Sequence, residues 1–206
     1  IPMITPHSPC ALTIGNYDGI HLGHQKLINE LLIKSEEMEI DSAIMIFEPH
    51  PKEFFTAKNA PCRLTSLREK IEFFKSKKIN RVYVVKFNKS FASMSGNNFI
   101  LRLKNQLSAK IILVGEDFRF GINRDSGIKD LIKSGIETLI VKELVRDDQR
   151  VSSTQIREAL ASGELELAKD LLGRHYSISG KVVHGNQRGR KIGFPTANIH
   201  MFHNRP

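Results

Sequence analysis

Cysteine is scarce. Cys10 and Cys62 are the only two in the chain, too few and too far apart for a disulfide framework or a metal knuckle, so a reducing cytoplasm is the expected compartment. No apolar run approaches the ~18 residues of a membrane span. Nothing at the N-terminus has the form of a signal peptide, and no internal repeat or low-complexity tract is present. These absences set aside membrane-spanning, disulfide-scaffolded and repeat architectures. Negative charge is also in short supply: 31 Lys and Arg face 22 Asp and Glu, for a formal charge of +9. That balance suits phosphorylated ligands, nucleic acid or anionic surfaces. The basic residues are spread out and lack the aromatic interleaving of a single-strand stacking platform, which weighs against nucleic acid. What remains is ordinary for a globular protein. The chain has 206 residues, 40% hydrophobic and 26% charged, enough for one full domain and part of a second.

Apolar runs rich in β-branched residues occur at 10–14, 42–47, 81–87, 110–115 and 137–141. Between them, helical periodicity covers about 22–38, 66–78, 95–107 and 125–135. Strands alternating with helices imply a parallel sheet covered on both faces. Residues 48–64 break the pattern with Pro49, Pro51 and Pro61 and the pair Phe54, Phe55, and read as a long loop. After Val151, Ser152 and Gln155 have capping-box spacing and open a helix to about Ala161, with a second helix near 164–172 ending at Gly173. From Tyr176 the texture turns to alternation and then to the basic, glycine-rich stretch from Gly185 to Lys191. This places a domain boundary at 174. Residues 175–206 would supply only the first strands of a barrel, which needs about six strands of about 8–12 residues. Ile1 in place of Met also suggests a piece of a longer product.

The most informative stretch runs from Leu12 to His24, where an apolar strand enters a glycine-rich turn that ends in His21 and His24. Three apart at a helix entrance, both imidazoles can face the same side as the orphan N–H groups of the first turn. Such a site would bind phosphates; two surface histidines at a helix start, or a metal pair lacking a third ligand, are the alternatives. In adenylyl transfer, fixed imidazole donors would stabilise the charge that grows on the attacked α-phosphate. Gly15, Asn16, Asp18, Gly19 and Gly23 build the turn; glycine permits close approach of backbone to ligand. Ser152, Ser153, Thr154 and Arg157 form a second constellation: hydroxyls and helix N–H groups for a phosphate, with a guanidinium one turn along. Asp117, after the strand ending at Val114, stands where it could hold a ribose or a base edge. The neighbouring Phe118 and Phe120 read as core. His50, between two prolines, could meet phosphate or frame an aromatic ligand, and Phe54 and Phe55 could cover a planar ring. Thr196 and Asn198, beside the basic loop, could seat a nucleotide phosphate and Mg²⁺.

Together these segments resemble the bifunctional bacterial riboflavin kinase/FMN adenylyltransferases, also called FAD synthetases. The matching pieces are Thr13 to Gln25, Phe47 to Pro51, Arg63 to Leu67, Gly115 to Gly121, Ser152 to Arg157 and Gly193 to Asn198. The resemblance implies a Rossmann-like nucleotidyltransferase domain over 1–174, joining FMN to the AMP part of ATP with loss of pyrophosphate, and the N-terminal fragment of a riboflavin kinase domain over 175–206. His21 and His24 would steady the α-phosphate, Ser153, Thr154 and Arg157 the β- and γ-phosphates, and Mg²⁺ would bridge phosphate oxygens. Asp117 would help seat adenosine, with His50, Phe54 and Phe55 on the flavin side. In the second domain, Thr196 and Asn198 would bind ATP phosphate and Mg²⁺, and no kinase activity is expected of this fragment alone. Tyr17 stands where the family often has Phe, and Ser126 where Gly is common. A relative using another phosphorylated acceptor, or a basic nucleic-acid-binding module, are the competing readings.

Overall fold

The computed structural model describes residues 7–56, 59–146, 149–185 and 188–201. In chain order the elements begin β1 (Cys10–Ile14), α1 (Leu22–Glu37), β2 (Asp41–Glu48), α2 (Pro51–Phe55), α3 (Leu67–Ser76), β3 (Arg81–Lys86), α4 (Lys89–Ala92) and α5 (Gly96–Asn105). They continue with β4 (Ala109–Gly115), β5 (Arg119–Phe120), β6 (Ser126–Gly127), α6 (Ile128–Lys133), β7 (Glu137–Val141), β8 (Val145–Arg146), β9 (Gln149–Arg150), α7 (Ser153–Ala161) and α8 (Leu165–Leu172). The last are β10 (Lys181–Val183), α9 (Arg188–Lys191) and β11 (Asn198–His200).

β1 is buried along its whole length because both faces of the sheet are covered. Its alternate side chains divide the core. Cys10, Leu12 and Ile14 pack with Phe99, Ile100 and Leu103 of α5 and with Leu131 of α6, while Ala11 packs with Ile28 and Leu31 of α1 and Phe74 of α3. The five parallel strands lie in the order β3-β2-β1-β4-β7, the α/β sheet expected from the alternating pattern. The order reverses at β1, so a crevice opens between the carboxyl ends of β1 and β4, where ligands of open α/β sheets bind. The helical pair α7 and α8 closes a third apolar cluster around Leu64, Val151 and Ile156.

Three segments differ from expectation. The stretch read as a loop over 48–64 contains α2, with Pro51 in its first turn and His50 as N-cap; proline at that position starts a helix as readily as it breaks one. The helix expected over 125–135 begins only at Ile128, because Ser126 and Gly127 pair with Phe120 and Arg119 across a turn with positive φ at Gly121, Asn123 and Arg124. Ser126 fits there because Gly96 is bare: a Cβ on Gly96 would come within 1.9 Å of the Ser126 hydroxyl. In the basic stretch 185–191, Arg188–Lys191 is a helical turn where a loop was expected; Asn186 and Gln187 lie outside the described residues, as do Ile1 and Pro206. β10 and β11 form an antiparallel pair whose residues are all exposed.

Candidate nucleotide-binding site

The turn after β1 takes a shape that few residues adopt: φ is positive at Tyr17, Gly19 and Ile20. Groups from far along the chain hold it there. One carboxylate oxygen of Asp18 accepts from the N–H groups of Leu64 and Thr65, both at 3.0 Å, and the other accepts from Nη2 of Arg157. The Gly19 N–H donates to the Thr65 hydroxyl at 3.0 Å and Ser153 Oγ to the Asp18 carbonyl at 2.8 Å. Lys70, 3% exposed, donates to the Asn16 carbonyl at 2.8 Å, and Arg174 donates to the carbonyls of Gly19 (2.7 Å) and Ile20 (3.1 Å). The Tyr17 hydroxyl is partnered by Thr13 at 2.7 Å.

At the end of this turn His21 is the N-cap of α1, without a side-chain capping bond. Its ring stacks on His24 with centroids 3.8 Å apart and planes 25° off parallel. Gly23 makes this possible, since a Cβ there would meet the His21 ring at 3.2 Å. The Nδ1 atoms of both histidines and Oδ1 of Asn16 are buried without a hydrogen-bond partner. Unpaired buried polar atoms are costly, and three in one place point to a ligand that satisfies them. Burial, reinforced by the Arg150 charge, brings the His21 imidazole down to about 4. Burial and then the neighbouring His21 hold His24 well below its ordinary value. Both rings are therefore neutral near pH 7 and act as N–H donors. The positive end of α1, with no acidic residue in its first turn, favours an anion at the same place.

A cleft of about 1140 Å³ opens over these rings. Gly15, Asn16, His21, Gly23, His24, His50, Phe55, Asp117, Ser152, Ser153, Thr154 and Arg157 all line it. The opposite wall is the start of α7. Ser152 Oγ accepts the Gln155 N–H at 3.2 Å, but the Gln155 amide turns to Gln149 instead of completing the capping box. Thr154 is exposed toward the opening.

Two expected contacts take another form. Asp18 is buried, 4% exposed, and its carboxylate braces the turn; an anion so placed repels phosphate and holds backbone N–H groups instead. Arg157 spends three of its N–H groups on protein, through Nε to the Cys62 carbonyl (2.6 Å), Nη1 to the Ser153 carbonyl (3.1 Å) and Nη2 to Asp18. Two of its five remain for a ligand. Phe54 does not line the cleft and packs on Phe55 and Phe87. Phe55, 65% exposed, does line it, in an aromatic wall with Phe87 and Phe91. His50 Nδ1 accepts the Lys52 N–H at 3.0 Å, and burial brings its ring down to about 4. Phe120 belongs to the core and stacks on the partly buried Phe118, and both also line the cleft. Thr196 and Asn198 are exposed and lie outside this cleft.

Sequence reasoning missed Arg150, Lys70 and Arg63. Arg150 bridges Asp117 (3.0 Å) and Glu143 (2.6 Å) across one end of the cleft, and its place just before Val151 and Ser152 was the available signal. Lys70 on the buried face of α3 was a second signal, since a lysine there needs a partner.

Among the described residues no helix is long and apolar enough to cross a membrane. A family profile described as FAD synthetase matches residues 3–155, and one described as riboflavin kinase matches residues 172–206. The bifunctional riboflavin kinase/FMN adenylyltransferase of Haemophilus influenzae is 46% identical over 93% of this chain and 64% of its own length. That of Buchnera aphidicola subsp. Schizaphis graminum is 44% identical over 97% of this chain and 66% of its own length. The chain thus spans just under two thirds of these relatives. A crystal structure described as a macrolide-efflux protein from Streptococcus pneumoniae superposes with a TM-score of 0.81 at 29% identity, covering 100% of this chain and 68% of that one.

Proposed function

Because this chain belongs to the FAD synthetase family, we propose that its cleft transfers AMP from ATP to FMN, forming FAD and releasing pyrophosphate. The observation that carries this reading is the stacked pair of neutral imidazoles, with unpartnered nitrogens, at the sheet's switch point and the entrance of α1. An oxygen of the FMN phosphate attacks the α-phosphorus in line, the bond from that phosphorus to the bridging oxygen of the β-phosphate breaks, and pyrophosphate takes the electron pair. His21 and His24 donate to the α-phosphate oxygens, where charge accumulates in the transition state; donors fixed beforehand need no reorganisation at that moment. Ser152, Ser153, Thr154 and the remaining N–H groups of Arg157 hold the β- and γ-phosphates at the start of α7. Asp117 contacts adenosine, and His50 with Phe55 faces the flavin.

Mg²⁺ enters as part of the nucleotide substrate. Bound through the phosphates of ATP, it would lower repulsion between the two anions. The match of residues 172–206 to riboflavin kinase favours a second activity in the whole protein, phosphorylation of riboflavin to FMN, with the boundary at 174. Thr196 and Asn198 would then contact the phosphates and Mg²⁺ of that second nucleotide. The deciding experiment is incubation of purified protein with MgATP and FMN, with chromatography for FAD and an enzymatic assay for pyrophosphate. Both products are expected in equal amounts; no FAD, or FAD without pyrophosphate, would overturn the reading.

A further inference from the structure

The segment Cys62 to Leu67 has no part in the phosphate chemistry above, yet three walls of the cleft meet on it. The Cys62 carbonyl accepts from Arg157 on α7. The N–H groups of Leu64 and Thr65 hold Asp18 in the histidine turn. Between them the Arg63 side chain, 5% exposed, reaches the third wall. It is paired with both oxygens of Glu48, at 3.0 and 2.6 Å, and with both oxygens of Glu53. Glu48 ends β2, immediately before Pro49 and His50. Glu53 lies in α2 and also accepts the His50 N–H at 3.2 Å. Arg63 itself does not line the cleft.

We propose that Arg63 is a positioning residue for the acceptor: it fixes the segment carrying His50 and Phe55 against the histidine turn, and so sets the affinity for FMN while leaving ATP binding alone. This rests on the assignment of that wall to the flavin. Two carboxylates five residues apart share one guanidinium, and without it they repel each other and the loop between them loses its reference point. A guanidinium can serve both in its own plane, which the point charge of a lysine cannot. ATP is held from the turn and from α7, whose braces in this segment are backbone groups of Cys62, Leu64 and Thr65 and not the Arg63 side chain.

The test compares Arg63→Met, Arg63→Lys and Glu53→Gln with the wild type. The Michaelis constants for FMN and ATP are measured separately, and FMN binding without ATP is followed by flavin fluorescence. Arg63→Met is expected to raise the FMN constant about tenfold and to leave that for ATP within about twofold, with Arg63→Lys between. Glu53→Gln, which leaves the Glu48 pair intact, is expected to give a smaller shift of the same kind, and it decides the matter if Arg63→Met fails to fold by circular dichroism. A folded variant with unchanged FMN affinity, or one in which both constants rise together, overturns the inference. A wild type that makes no FAD fails the proposed function instead, and the fluorescence titration still tests Arg63.

Discussion

The two long walls of the cleft are built in opposite ways. The histidine turn is held by partners from across the chain. Asp18 and Arg157 meet although they are 139 residues apart, and Arg174 reaches the Gly19 carbonyl from 155 residues away. The wall built on α2 is aromatic: Phe55 stands beside Phe87, and one arginine ties the segment down. Phosphate transfer needs donors whose positions do not change as charge develops. A planar ring needs apolar area and tolerates small displacements. Under the proposed function, the contrast assigns the rate to the histidine turn and the acceptor affinity to the aromatic wall.

Four perturbations would break or sharpen that contrast. Replacing His24 with Ala removes one fixed donor and should lower kcat about 100-fold or more while leaving the FMN Michaelis constant nearly unchanged; steady-state kinetics check it, and a change confined to the Michaelis constant would erase the distinction. Asp18→Ala leaves Arg157 without its carboxylate and two buried N–H groups without an acceptor. Urea unfolding should show a loss of about 3 kcal/mol. Acid should weaken both walls together. His21 and His50 are held down to about 4 in the fold, whereas in the unfolded chain they take protons near 6.5. The unfolded state therefore binds more protons between these values. Stability is full above about pH 6.5 and is lost progressively as the pH falls toward 4, by about 2 kcal/mol for His21 alone between pH 7 and 5. Thermal melts across that range measure it. The smallest effect is expected from Phe55→Ala, which should cost about 1 kcal/mol of FMN binding, read as a several-fold weaker fluorescence titration with ATP binding unaltered.

The sheet was legible because its strands are buried on both faces and read as short apolar runs: β1 and β7 fall on the expected residues 10–14 and 137–141. The short elements were not. β5 and β6 have two residues each, too few to show a period, and the prolines around His50 hid a five-residue helix. In the site, the two histidines and the α7 entrance were visible because helix N-termini carry local signals. The brace made by Asp18 and the work of Arg63 were invisible because each depends on a partner that sequence spacing does not reveal, whereas Arg150 and Lys70 each left a local signal.

Arg174 ties the timing of synthesis to the completion of the site. The carbonyls of Gly19 and Ile20, just before His21, receive its guanidinium N–H groups. The Ile20 carbonyl also has a local donor in Gln25, but the Gly19 carbonyl receives its side-chain donor from 155 positions later in the chain. The histidine turn thus has its full set of partners only once residue 174 has been added to the chain.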